Sequence, residues 1–182
     1  MKRSVINDAV RRATRAFQEH GWALPPRPRW DVTDFGIGKF RKLGLVLVNL
    51  AEEPEYCEKL MFGLKGQVTP IHYHKQKKED IICRWGRLAI HLVSPKPKVN
   101  VKVNGVMRTV STRRPLVLKA GERITLTRRV AHEFWPDSPY AVIGEVSTAN
   151  DDKHDNYFAD KEIGRFSRIV EDEKPIVKLV SD

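Results

Sequence analysis

Six histidines occur in the chain, and two of them stand together as His72-Tyr73-His74 within a strand-like run. Side chains at i and i+2 of a strand point to the same face, so both imidazoles can reach one ion. Glu79 follows after the polar turn 75–78, a spacing that lets the next strand fold back and set a carboxylate beside them. His132 lies 53 residues further on, at the start of another strand-like run. Three imidazoles and one carboxylate suit a first-row divalent metal with open coordination positions. The helical His-Glu-x-x-His motif of zinc hydrolases is absent. His91 and His154 have no partner at ligand spacing and read as a structural and a surface residue.

Other residues near this set have the chemistry for proton transfer. Lys77 sits in the turn between His74 and Glu79; beside a divalent cation its pKa should fall, which favours a role as base. The same lysine also fits a plain surface run, Lys75-Gln76-Lys77-Lys78. Glu145 interrupts the apolar run 141–146, and a carboxylate there needs a partner. A metal-bound substrate or Lys59 would supply one, and a structural ion pair is the alternative. Trp135 follows His132 by three and reads either as a pocket wall or as a core aromatic.

The elements that position these residues are short. A helix is expected at the start, with Ser4 as N-cap, Val5, Ala9, Ala13, Ala16 and Phe17 at helical spacing, and Gly21 as the stop. Residues 22–30 hold Pro25, Pro26 and Pro28 and read as an extended connector. Strands are expected at 45–50, 58–62, 67–74, 80–84, 88–93, 99–103, 106–110, 116–118, 123–127, 132–135 and 141–147. Asn104-Gly105 between two of them is a strong hairpin signal. So many short strands suggest a closed or double-sheet all-β domain.

The chain has 182 residues and a net charge of +10. Its length fits one domain with a sizeable core. Basic residues spread over segments 1–45 and 91–140, without a Cys/His finger or an RNA-binding aromatic motif, so no nucleic-acid partner is expected. No apolar run approaches membrane-spanning length and no signal peptide is visible, so no membrane partner is expected. Two cysteines, Cys57 and Cys83, fit buried thiols in a reducing cytoplasm.

The pattern Gly-x5-His-x-His-x4-Glu-x6-Gly from Gly66 to Gly86 resembles the first cupin motif. Gly121 and His132 match the second, although Thr127-Arg128-Arg129-Val130 stands where a Pro-rich turn is usual. Within cupins, the block from Gln67 to Ile82, His132-Glu133-Phe134-Trp135, and the block from Gly144 to Asn156 resemble the D-lyxose ketol-isomerase family. The resemblance runs from about Gly36 to Glu173. It implies a cupin fold, a double-stranded β-helix or jelly-roll barrel in residues 36–182, with residues 1–35 as a helix and connector packed outside. It implies a metal, Mn²⁺ first and Zn²⁺, Fe²⁺, Co²⁺ or Ni²⁺ next, held by His72, His74, Glu79 and His132.

It also implies catalysis by Lys77 and Glu145, with Glu162 in reserve as the second acidic group, and Lys59, Gln67 and Trp135 as sugar contacts. The reaction implied is aldose–ketose isomerisation of a free sugar such as D-lyxose or D-mannose by a cytoplasmic homodimer. A metal on the sugar's C1 and C2 oxygens would polarise the carbonyl, and a base would carry the proton between those carbons. The alternatives are an isomerase or epimerase of a sugar phosphate, with Arg128 or Arg129 reaching the phosphate, a dioxygenase, and a metal-bearing cupin that only binds a sugar.

Overall fold

A computed structural model describes every residue except Lys153 and Arg165. The described residues form one helix, α1 (Arg3–Glu19), and thirteen short strands. Gly21, with φ of +77°, ends the helix as its sequence suggests. The start differs from expectation. Lys2 holds the capping position without a side-chain cap, and Ser4 lies inside the first turn. The Ser4 N–H and hydroxyl both donate to the Asp172 carboxylate, which supplies from afar the negative charge a helix N-terminus favours. The buried stripe is Ile6, Ala9, Val10, Ala13, Ala16 and Phe17, whereas Val5 is half-exposed.

The strands form two antiparallel sheets. One has the order β1-β2-β3-β12-β5-β10-β7-β8. Its members are β1 (Arg29–Thr33), β2 (Leu45–Glu52), β3 (Tyr56–Leu64), β5 (Glu79–Trp85), β7 (Lys98–Val103), β8 (Val106–Ser111), β10 (Arg123–Leu126) and β12 (Tyr140–Thr148). The other runs β13-β4-β11-β6-β9. It comprises β4 (His72–Tyr73), β6 (Arg87–Val93), β9 (Leu116–Lys119), β11 (Ala131–Pro136) and β13 (Tyr157–Phe158). Asn104 and Gly105 turn the β7–β8 hairpin, both with positive φ, as the Asn-Gly signal requires.

Each face of the larger sheet has its own core. Leu45 and Leu47 of β2, Met61 of β3, Ile81 and Cys83 of β5 and Ile143 of β12 face the barrel interior. The alternate residues Val46, Val48, Leu60, Phe62 and Val142 face outward beneath α1, together with Trp30 and Val32. Burial on both faces explains why β2 reads as a continuous apolar run rather than an alternating one. The helix lies outside the barrel and covers the β1–β2–β3–β12 region.

Three details depart from the sequence reading. The expected strand 67–74 shrinks to β4, because Pro70 brings no N–H to a ladder. The connector after the helix passes directly into β1, which pairs with β2 in full register. The two-residue β13 pairs with β4, joining Phe158 to His72 and Tyr157 to Tyr73.

No described helix is long and apolar enough to cross a membrane.

Candidate active site

Strand alternation selects the side chains that enter the barrel. On β11, His132 and Phe134 are buried, while Trp135 between them and the next inward residue points away. On β12, Glu145 shares the inward face with Ile143, and its ladder partners are Lys59 on β3 and Ile81 on β5. Glu79 opens β5 on the same inward face. His72 on β4 pairs directly with His132 on β11. The cavity so formed is lined by His72, His74, Lys77, Glu79, Lys59 and Glu145 on its polar side. Phe35, Leu47, Met61, Ile81, Phe134 and Phe158 supply apolar walls.

The three histidines share one hydrogen-bonding arrangement. His72 Nδ1 donates to the Pro70 carbonyl (2.8 Å), His74 Nδ1 to the Asp155 carbonyl (2.6 Å) and His132 Nδ1 to the Val130 carbonyl (3.0 Å). A carbonyl can only accept, so each Nδ1 carries hydrogen, and in the neutral tautomer this selects, Nε2 is the lone-pair atom. Burial, chiefly, pushes the pKa of His72 and His74 down and keeps those rings neutral.

His74 Nε2 lies 3.5 Å and His132 Nε2 3.3 Å from Glu79 Oε1. All three atoms are buried without a hydrogen-bond partner. Acceptor thus faces acceptor, an arrangement that a cation at their convergence relieves. Ligands about one ion at ~2.0–2.2 Å stand roughly 3–3.5 Å apart, which matches these separations. His72 completes the group, with its ring centroid 4.3 Å from that of His132 and 5.3 Å from that of His74. Among the described residues no three such donors are already drawn together as a finished coordination site. The fit therefore rests on the orphaned atoms and the shared tautomer.

Beside these donors runs a buried row of alternating charge. Lys77 Nζ lies 3.1 Å from Glu79 Oε2 and 2.9 Å from Glu145 Oε1. Lys59 Nζ lies 3.7 Å from the same Glu145 oxygen, 3.2 Å from Asp152 and 2.9 Å from Asn150 Oδ1. Burial acts against both ammonium charges, but the carboxylates outweigh it, led by Glu145, and raise both pKa values. Burial likewise opposes the charge on Glu79, yet the Lys77 ammonium, chiefly, holds its carboxyl well below the usual range. The side chains alone thus keep Lys77 protonated, opposite to the lowered pKa that its place beside a cation suggests. The difference arises because two carboxylates flank it, one of them 68 positions away in sequence.

The remaining sequence candidates separate. Lys59 reaches the cavity. Gln67 does not contact it: its Oε1 accepts from Leu64 N–H and its Nε2 donates to the Phe40 carbonyl, both at 2.8 Å. That close packing leaves no room for a Cβ on Gly44, which would fall 2.6 Å from Gln67 Nε2. Gln67 is therefore a loop brace rather than a sugar contact. Trp135 is turned out of the cavity by strand parity, and Phe134 takes the wall position. Glu162 is exposed and does not line the cavity. Neither Arg128 nor Arg129 lines it; Arg128 Nε donates to the Gln76 carbonyl and Arg129 N to the His74 carbonyl. His91 is held by Glu133 and Thr112, His154 lies exposed against Asp151, and both cysteines are buried.

Sequence reasoning missed Asp31 and Thr33, which enter the cavity from β1, and Phe158 from β13. The Trp-Asp-Val-Thr alternation of residues 30–33 was the available signal for the first pair. Asp152 and Asn156 also line the cavity, from the acidic stretch after β12.

A family model described as D-lyxose isomerase matches residues 27–182. A D-lyxose/D-mannose isomerase of Serratia proteamaculans is 38% identical over 164 residues, covering 80% of this chain and 72% of the relative. One of Escherichia coli O157:H7 is 32% identical over 223 aligned positions, covering 100% of this chain and 98% of the relative. Among solved structures, a Cellulomonas parahominis L-ribose isomerase with L-ribose superposes with a TM-score of 0.70 at 19% identity. It covers 90% of this chain and 96% of its own, and shows a shared fold. The expected cupin-type barrel with an outer N-terminal helix is the architecture found.

Proposed function

The chain belongs to the D-lyxose isomerase family, and from that premise we propose that it interconverts an aldose and a ketose, acting on a free sugar such as D-lyxose or D-mannose. The observation that carries the proposal is the ion-paired row Lys59–Glu145–Lys77–Glu79, set inside the barrel against the buried, unpartnered Nε2 atoms of His74 and His132. A sugar-binding module has no need of a buried carboxylate between two ammonium groups. Proton transfer does.

His72, His74, Glu79 and His132 would hold a divalent metal, manganese first among the candidates. Described charged residues lining the cavity are Asp31, Glu79, Glu145 and Asp152 against Lys59 and Lys77, an excess of two negative charges that a divalent ion balances. When bound, such an ion supplies Lewis-acid polarisation of a carbonyl.

The chain's own groups divide the remaining work. Glu145 is the carboxylate able to take a proton from a sugar carbon, and Lys77, protonated and 2.9 Å away, fixes its oxygen and can return a proton to oxygen. Lys59 holds the other approach to Glu145 and is itself anchored by Asn150 and Asp152. Phe35, Phe134 and Phe158 exclude water from that exchange.

A free sugar suits the cavity better than a sugar phosphate. Both lining lysines are already paired with carboxylates, and no arginine is found among the described lining residues. The test is a screen of aldoses and ketoses with Mn²⁺ in deuterated water, read by exchange at C1 and C2. Deuterium entering lyxose or mannose supports the proposal. Tight sugar binding without exchange would assign the chain as a binder.

A further inference from the structure

The loop that joins two of the metal-binding candidates is clamped by a residue that does not line the cavity. Asp155 is buried, and its carboxylate faces the loop backbone. Oδ1 accepts from Lys75 N–H (2.8 Å) and Gln76 N–H (3.1 Å); Oδ2 accepts from Gln76 N–H (3.1 Å) and Lys77 N–H (2.9 Å). The backbone carbonyl of the same residue accepts from His74 Nδ1 at 2.6 Å. The opposite side of the loop is fixed too, where Arg129 N–H and Arg128 Nε donate to the carbonyls of His74 and Gln76.

Three successive backbone N–H groups converging on one carboxylate make an anion nest, here filled from within the chain. The nest spans the interval between His74 and Glu79, so its geometry sets how far apart those two donors stand. It also sets where the Lys77 side chain begins. We propose that Asp155 is a positioning residue for the metal centre and for Lys77, acting at once through the tautomer of His74 and through the shape of the 75–77 loop. This deepens the reading of the site given above and rests on it.

The consequence is a coupling between two stretches of chain. Asp155 lies between Asp152 and Asn156, which line the cavity, and just before β13, where Phe158 pairs with His72. The same short segment therefore forms part of the sugar's wall and holds two of the histidines. Groups that orient a metal ligand from behind typically govern ~10–100-fold in metal affinity.

The experiment compares wild type with Asp155→Asn, which keeps the backbone carbonyl and one side-chain acceptor but turns an amide N–H₂ toward the loop donors. Asp160→Asn is the control, since Asp160 is exposed and accepts a local backbone bond from Glu162 on the same stretch. Affinity for Mn²⁺ alone is measured by titration, and hydrogen exchange is followed at the amides of residues 75–77. We expect a 10- to 100-fold weaker Mn²⁺ affinity and faster exchange at Lys77 in Asp155→Asn, with the control unchanged.

A folded Asp155→Asn with wild-type affinity and wild-type protection would overturn the proposal, as would an equal loss in Asp160→Asn. If the wild type itself bound no Mn²⁺, the metal reading of the site would fall. Exchange at residues 75–77 would then still decide whether Asp155 fixes the loop.

Discussion

Inside the barrel, Lys77 Nζ and Glu145 Oε1 lie 2.9 Å apart, brought together from a loop and a strand 68 positions distant in sequence. Neither side chain is more than 8% exposed. In Glu145→Gln the cavity keeps its shape and loses the proposed base. We expect retained metal and a fall in turnover of ~10²–10⁴-fold. Lys77→Met should cost more than activity, because it leaves Glu79 and Glu145 facing one another without their shared cation; breaking a buried pair typically costs about 3–5 kcal/mol. Turnover, metal content and thermal midpoint measured on both variants separate the two effects. Full activity in Glu145→Gln would remove it from the chemistry.

Metal removal should silence the enzyme reversibly. Dialysis against a chelator is expected to abolish turnover, with Mn²⁺ restoring it. His74→Ala and His132→Ala should purify with little metal, since each removes a lone-pair donor now aimed at Glu79. Elemental analysis checks the second point. A full metal complement in either variant would show that its histidine is not a ligand.

Gln67 provides the opposite case. Gln67→Leu deletes two hydrogen bonds, one that joins the loop after β3 to the Phe40 carbonyl and one that satisfies the Leu64 N–H. A loss of stability of about 1–3 kcal/mol is expected. Measured well below the melting transition, kcat/KM should stay near wild type. A selective rise in KM would restore Gln67 as a sugar contact.

These cases mark how much the sequence alone reveals. The proposed ligand set could be read from the sequence because strand alternation and a fixed turn length bring His72, His74 and Glu79 together without knowledge of the rest of the fold. Glu145 was legible as an anomaly, a charge in an apolar run. Trp135 failed on parity alone: with His132 facing inward, a residue three positions later faces outward, and Phe134 was the better candidate. The partners of Lys77 were hidden: its flanking carboxylates come from two strands, and only the folded sheet shows that they meet. The place of β1 next to β2 and the two-residue β13 were hidden because short strands carry too few residues for periodicity to register.

His91 gives a prediction in pH. Its Nδ1 faces Glu133 Oε1 and its Nε2 the Thr112 carbonyl, each at 2.9 Å, so both ring nitrogens meet acceptors. The Glu133 hydrogen bond, chiefly, raises the His91 pKa. A raised value in the folded state means that the stabilisation is fully present below the unfolded pKa of ~6.5 and is lost as pH climbs through the folded value. Glu133→Gln should therefore cost about 0.2–1 kcal/mol near pH 5.5 and almost nothing near pH 9, given the partial exposure of the pair. Denaturant unfolding at the two pH values measures the difference; a cost that grows with pH would contradict it.

The place of β12 between β3 and β5 has a consequence for how the chain acquires its shape. Strand β12 supplies nine ladder partners to β3 and six to β5, so both of those strands have an open edge until residues 140–148 arrive. Such edges are templates for pairing with other chains, and long-range strand insertion is slow because loop closure must precede the contacts that reward it. Glu145 rides on that inserting strand. The carboxylate assigned to the chemistry therefore enters only as the barrel closes, and a chain halted before residue 140 would be left inactive and prone to aggregate.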